Sequence, residues 1–356
     1  MKVGIIGLPQ TGKKTLFQIL TGKEITEPGK ALKPVPGTAD ILDSRFNILK
    51  DMYEPKKDVR ARIDLVLLPK MEAETISRGD IFRDIADMDA ICHVVRAFED
   101  DAIYHEDGSV DALRDFQMVN SELVMHDQIF VEKRIERLAA MVKKIKDEDQ
   151  QKELTLMIRL KEHLEQELPL RLLELSEDEE RLIRSYPFIT RKKLVIAVNV
   201  SEDDLGNEAL LAGFKENCDR LTIEVMLVSA KVEAEIAMLD SEEEKAEFLE
   251  DLGITTTTLE TLTRLCLKSL SLISFFTVGT DEVRQWLVRE NSKAPVAAGV
   301  IHSDLQRGFI RAEVFKYDDL IALGSEAELK KNGKVYVEGK EYIVKDGDIL
   351  NIRFSV

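Results

Sequence analysis

Short, continuously apolar runs recur along this chain at residues 3–6, 63–69, 90–95, 193–198 and 223–228, separated by longer stretches of mixed character. Runs this short and this apolar predict strands buried on both faces, the pattern of an α/β protein with helices covering a sheet. Between them, helical patterning predicts helices over 43–52, 81–87, 241–252 and 259–272. Pro28, Gly29, Pro34, Pro36 and Gly37 predict loop between the first helix and residue 43. The longest pattern covers 111–146, where Ile135, Leu138, Val142 and Ile145 recur at a/d spacing with charged residues between them. A second helix carries Leu154, Met157, Leu164 and Leu168 and stops at Pro169. Two such helices joined by a polar turn predict an antiparallel coiled-coil hairpin. Ser176 and Glu179 follow with capping-box spacing, predicting a helix to residue 186.

From residue 273 the texture changes. Short alternating runs predict strands over 273–278, 298–301, 335–337, 342–344 and 350–354, with a helix over 281–288. A compact mixed β domain of the ubiquitin-like β-grasp kind fits this spacing.

The chemistry is concentrated at the start. After the first strand, Gly7-Leu-Pro-Gln10-Thr11-Gly12-Lys13 matches the first seven positions of the phosphate-binding loop G-x-x-x-x-G-K-[ST], and Thr15 opens a helix. Glycines let backbone N–H groups turn inward, the helix N-terminus adds positive potential, and the Lys13 ammonium reaches the outer phosphates. The eighth position departs from the pattern. A Ser or Thr hydroxyl would ligate Mg²⁺ there; the chain has Lys14, whose ammonium has donors and no lone pair. Thr26 and Thr38 are the threonines a first switch could offer, and neither stands in a switch pattern.

A second constellation follows the fourth and fifth apolar runs. Asn199-Val200-Ser201-Glu202 stands where guanine-binding P-loop proteins carry Asn-Lys-x-Asp, and Ser229-Ala230-Lys231 where they carry Ser-Ala-Lys. Replacing Asp by Glu, and so losing a buried bidentate contact to guanine, costs on the order of a few kcal/mol. Base preference therefore moves away from strict guanine.

Composition adds limits. The 356 residues allow two or three domains, and 44% hydrophobic with 33% charged residues is ordinary for a core-forming protein. No apolar run reaches the ~20 residues of a membrane helix. With a strand opening at residue 3, no leader is expected. Cys92, Cys218 and Cys266 lie far apart, which argues against a zinc site or disulfide framework and for buried thiols in the reducing cytoplasm. A net charge of −17 argues against a protein that coats DNA.

Taken together, these residues resemble the YchF-type Obg-like P-loop NTPases, the ribosome-binding ATPases, along nearly the whole chain. The segments that carry the resemblance are SAKVEAE at 229–235, EFLEDLG at 247–253, ISFFTVG at 273–279, Lys293-Ala-Pro, AGVIHSD at 298–304, RGFIRAE at 307–313 and YDDL at 317–320. The resemblance implies a G-protein-like nucleotide domain over 1–126 and 189–272, a coiled-coil insertion over 127–188 and a TGS domain of β-grasp fold over 273–356. It implies ATP or GTP as ligand, held by Gln10, Thr11, Gly12, Lys13, Lys14 and Thr15 at the phosphates and by Asn199, Val200 and Glu202 at the base, with Ser229, Ala230 and Lys231 buttressing the base. It implies the ribosome as partner, met through the arm and the TGS domain, with Lys293, Arg307 and Arg311 as candidate phosphate contacts and His302 an ordinary strand residue.

Three family positions are altered together. Lys14 replaces the P-loop Ser, Ala31 aligns with the switch Thr, and Leu67-Leu68-Pro69-Lys70 replaces Asp-x-Ala-Gly. All three groups would hold or orient Mg²⁺, so hydrolysis should be slow or absent. Two alternatives stand beside this: an active hydrolase that recruits Mg²⁺ through Asp64 or Asp40, and an interaction scaffold with an empty pocket.

Overall fold

The computed structural model describes residues 1–25, 33–105, 108–143, 147–239, 241–253 and 256–355. Thr26, Pro28, Gly29, Ala31 and Ile145 lie outside the described residues. In chain order the elements are β1 (Lys2–Ile6), α1 (Lys13–Thr21), β2 (Val35–Asp40), α2 (Ser44–Tyr53), β3 (Lys57–Val59), β4 (Arg62–Leu67), α3 (Ala73–Arg78), α4 (Asp80–Ala86), β5 (Ala90–Arg96), α5 (Ala112–Val142), α6 (Glu148–Leu164), α7 (Glu177–Ile183), β6 (Lys193–Asn199), α8 (Glu208–Arg220), β7 (Glu224–Val228), α9 (Ala230–Ile236), α10 (Glu242–Asp251), α11 (Thr258–Ser269), β8 (Leu272–Thr277), β9 (Glu282–Arg289), α12 (Ala294–Ile301), α13 (Ser303–Arg307), β10 (Phe309–Lys316), α14 (Tyr317–Leu323), α15 (Glu326–Lys331), β11 (Tyr336–Glu338) and β12 (Asp348–Phe354). They fall into two compact units, one of Met1–Thr38 with Asp64–Thr258, the other of Ala39–Ile63 with Leu259–Val356.

The first unit is built on a sheet of order β2-β4-β1-β5-β6-β7. β4, β1, β5, β6 and β7 run parallel. Their carboxyl ends therefore open on one edge, where the loops after β1, β5, β6 and β7 gather; in open α/β sheets this edge binds ligands. The strands are apolar because both faces are covered: Ile6, Val66, Ile91, Ile196 and Val198 share a core with Phe82, Phe116 and Phe214 from the helices. β2 replaces the loop expected around Pro34–Gly37. It lies on the sheet edge, where a Pro that cannot donate to a ladder is tolerated.

α5 is one unbroken helix capped by Asp111. Its first half packs Phe116, Val119 and Leu123 into the sheet core, and its second half packs Val131 and Leu138 against Leu156, Met157, Leu160 and Leu164 of α6. A boundary at residue 126 falls inside this helix. Arg134 holds Glu153 at 2.7 and 3.0 Å, and Lys161 meets Glu132 at 3.4 Å, a pairing order that makes α5 and α6 antiparallel. α6 ends at Leu164, before Leu168, and the Ser176–Glu179 capping box forms with α7 ending at Ile183. At the base of this hairpin the buried Asp127 carboxylate accepts from Ile189 N (3.0 Å), Thr190 N (2.8 Å) and Thr190 Oγ1 (2.7 Å).

The second unit holds a mixed sheet of order β11-β10-β12-β8-β9-β3, with β12 parallel to β8 and antiparallel to β10. Residues 39–63 belong here, not with the nucleotide domain. Phe46 and Leu49 of α2 share a core with Phe276, Val283, Phe315 and Ile349, and β3 extends the sheet beside β9. The expected boundary at 272/273 lies instead at 258/259, which places most of α11 in this unit.

Two assignments here are exchanged. Residues 281–288, expected as helix, form β9. Val283, Gln285 and Val288 are buried, and the inward Gln285 broke the apolar alternation that would have identified a strand. Its amide is satisfied by Ser274 Oγ (3.0 Å) and Ala61 N (3.3 Å). Residues 298–301, expected as strand, lie in α12, which starts with a Pro in its first turn and buries Ala294, Ala297 and Ala298 at helical spacing. His302 is the largely exposed junction between α12 and α13, where Nδ1 accepts from Asp304 N at 3.2 Å. Residues 342–344 contribute one bridge, Lys293 to Ile343, not a strand.

Candidate nucleotide site

The loop between β1 and α1 is shaped by its own backbone. Gly7 has φ 153°, and a Cβ there would lie 2.5 Å from Val94 O. Gly12 has φ 86°, and a Cβ there would lie 2.2 Å from Asn199 Nδ2. Neither position admits another residue without displacement. Gln10 also takes a positive φ of 58°. Thr11 is buried, and its Oγ1 donates to Leu8 O at 3.2 Å. α1 begins at Lys13 with Gly12 as N-cap and no side-chain cap, so its first N–H groups face the loop. That is the arrangement of an anion site at a helix N-terminus. The Lys13 ammonium is buried and donates to Gly7 O (2.8 Å) and Leu8 O (2.9 Å), folding back over the loop it serves.

The second constellation is brought to the same place. Asn199, at the end of β6, donates from Nδ2 to Thr11 O at 3.0 Å and accepts on Oδ1 from Ala230 N at 3.0 Å. One buried amide thus ties the phosphate loop to the segment after β7. Ser229 caps α9, its Oγ accepting from Val232 N at 3.4 Å. The Val200 side chain lies in the core and its N–H goes to Val228 O at 2.8 Å, so that side chain takes no part in reading a base. Glu202 and Lys231 are exposed, Glu202 opening a short 3₁₀ turn after β6. Lys14 and Thr15 are exposed on the first turn of α1.

The described residues around the phosphate loop do not fit Mg²⁺. Leu67 and Leu68, in the positions that the resemblance gives to the metal-binding carboxylate and its neighbour, are buried apolar side chains. Lys14 supplies a cation where a hydroxyl would be needed. Among the described residues, no group of three His, Cys, Asp or Glu side chains could hold a metal. Asp64 is no substitute. It pairs in register with Lys2 at the start of β1, the opposite edge from the phosphate loop, and meets the Met1 ammonium at 3.4 Å. Asp40 is engaged by Arg62 at 2.8 Å.

Sequence reasoning missed His93. It lies on β5 beside Ile6 of β1, fully buried, and burial together with the Lys13 charge pushes its pKa down to about 3. It was hidden inside an apolar run. The three cysteines are buried, with the Cys218 and Cys266 thiols pushed up to about 12 by burial. In the second unit, Lys293 is paired with Glu341 and Arg307 with Asp304, while Arg311 is exposed on β10.

A parallel α/β sheet with this loop and this asparagine clasp defines a P-loop nucleotide-binding protein. Comparison with known proteins narrows the class. Residues 272–355 match the family model YchF-GTPase_C, described as a protein of unknown function (DUF933). The chain is 41% identical to the ribosome-binding ATPase YchF of Bacillus subtilis (strain 168), covering 100% of both chains. It is 34% identical to Obg-like ATPase 1 of Caenorhabditis elegans, covering 100% of this chain and 92% of that one. It superposes on the Schizosaccharomyces pombe YchF GTPase with a TM-score of 0.83 at 30% identity, covering 99% and 97% of the two chains. The chain belongs to the YchF family. Among the described residues, no helix is long and apolar enough to cross a membrane.

Proposed function

We propose that this chain is a cytoplasmic, ribosome-associated nucleotide-binding protein that holds ATP or GTP without a protein-bound Mg²⁺ and hydrolyses it slowly or not at all. The observation that carries the reading is the Asn199 clasp. A buried amide bonded to both Thr11 O and Ala230 N has no need to be there unless the phosphate loop and the base loop must keep a fixed spacing. Gln10 to Thr15 take the phosphates, with Lys13 leaving Gly7 O and Leu8 O to meet them. Asn199, Glu202 and the 229–231 segment border the base. Lys14 brings its ammonium to the phosphates and partly replaces the charge of the metal.

Association with the ribosome rests on relatives named for it. The helical hairpin over 127–188 and the C-terminal TGS-like part of the second unit are proposed to meet it, with the rest of the first unit, residues 1–38, 64–126 and 189–258, as the nucleotide module. Isothermal titration with ATP, GTP and ADP, beside a phosphate-release assay, tests the reading. Micromolar binding with turnover near the uncatalysed rate supports it. Fast, Lys13-dependent turnover restores the hydrolase.

A further inference from the structure

β5 ends at Arg96, which pairs in register with Asn199 at the end of β6. The Arg96 side chain is 2% exposed, and its hydrogen bonds all go to main-chain carbonyls of the loop that follows it. Nε donates to Phe98 O at 3.1 Å, Nη1 and Nη2 both donate to Ile103 O at 3.1 Å, and Nη2 reaches Asp100 O at 3.5 Å. The Cζ atom stands 4.7 Å from the centroid of the Phe98 ring. The same loop is pinned a second time: Asn199 O accepts from Ala97 N at 2.8 Å and from Phe98 N at 3.2 Å.

A guanidinium taken out of water and answered by neutral carbonyls is a costly way to close a loop. An apolar side chain could fill the space with no charge to desolvate. It could not hold three carbonyls at fixed places, which a rigid fork of five donors can. The loop so held is joined to Asn199, whose amide bonds Thr11 O and Ala230 N. The attachments differ in kind. Asn199 meets the phosphate loop through its side chain. It meets Ala97 and Phe98 through its main-chain carbonyl, which leads directly into Val200, Ser201 and Glu202.

We infer that Arg96 is a positioning residue for the nucleotide base. By grasping Phe98 O, Asp100 O and Ile103 O it keeps Ala97 and Phe98 on Asn199 O, and so fixes the wall of the site beside the base segment. The inference rests on the proposed nucleotide binding and gives Arg96 no contact of its own with the ligand. Losing the fork frees this wall. It leaves in place the phosphate loop, which Gly7, Gly12 and the Asn199 amide shape independently.

The test is isothermal titration of the full chain with ATP and with tripolyphosphate, for the wild type, Arg96→Gln and Arg96→Lys. Hydrogen exchange is read beside it. Arg96→Gln cannot span three carbonyls, so ATP affinity should fall about 10-fold while tripolyphosphate affinity changes less than about 2-fold. Exchange at the Ala97 and Phe98 amides should accelerate. Exchange at the Leu16 amide, bonded to Gly12 O at 2.9 Å, should stay as in the wild type, which also shows that the phosphate loop is folded. Arg96→Lys keeps the charge and loses the fork; it should fall between, and it carries the same comparison if Arg96→Gln does not fold. Unchanged ATP affinity in both variants would overturn the inference. Equal losses for ATP and tripolyphosphate would overturn it too, because they mark a purely structural role. So would a wild type that binds ATP and not tripolyphosphate, since the phosphate loop would then not act apart from the base wall. A wild type that binds neither ligand sinks the nucleotide reading itself, an outcome distinct from these three.

Discussion

Asn199 Nδ2 lies 3.0 Å from the carbonyl oxygen of Thr11, 188 residues earlier in the chain, and the same amide accepts from Ala230. A single side chain is thus bonded to both halves of the candidate site. Asn199→Ala leaves a buried N–H and a buried carbonyl unpaired, at a cost of about 1–3 kcal/mol. Nucleotide affinity should fall by the same free energy, roughly 5- to 150-fold, and the urea midpoint should drop. Asn199→Asp keeps the acceptor for Ala230 N and loses the donor to Thr11. It should lose affinity while recovering part of the stability, a split that titration and denaturation read separately.

Gly12 carries the phosphate loop into α1 at φ 86°, with Asn199 Nδ2 in the space a Cβ would occupy. Gly12→Ala should therefore break the clasp as well as strain the turn. Destabilisation of about 1–3 kcal/mol and loss of measurable nucleotide binding are expected. Far-UV circular dichroism and a denaturant titration separate loss of the site from loss of the fold.

His93 makes stability depend on pH. Its folded pKa is about 3 against an ordinary value near 6.5, so below pH ~6.5 the unfolded chain binds a proton that the native state refuses. Its contribution is whole above that value and is lost as the pH falls toward 3, at about 1.4 kcal/mol per pH unit. Denaturant titrations between pH 7.5 and 5 should show this slope, and His93→Gln should flatten it.

Asp127 closes the base of the helical hairpin with three hydrogen bonds inside the core. Asp127→Ala leaves those donors without an acceptor and should cost about 3 kcal/mol or more. Nucleotide binding, measured under conditions where the variant remains folded, should be unaffected.

How legible the molecule was depended on where the information lay. The parallel sheet was readable because doubly covered strands are apolar throughout, as in residues 194–198. The phosphate loop and Asn199 were readable because glycine geometry and an amide between two backbones leave few residue choices. The second unit was harder. β9 hides its inward pattern behind Gln285, and α12 is apolar enough to pass for a strand, although Pro295 and the Ala294/Ala297/Ala298 spacing mark its start and its face. That residues 39–63 join the C-terminal sheet had no local signal at all, because it depends on Phe46 and Leu49 packing against residues more than 200 positions away. Within the site, Val200 could not be assigned to the core from its position beside Asn199.

The measurement that tests the central claim most directly is the affinity for ATP in Mg²⁺ and in EDTA, for the wild type and for Lys14→Ser. The account predicts a wild-type affinity that changes less than about 3-fold when the metal is removed. Lys14→Ser should bind more weakly in EDTA and recover when Mg²⁺ is added. Wild-type binding that disappears in EDTA would contradict the account, since it would require a metal ligand that neither Leu67 nor Lys14 can provide.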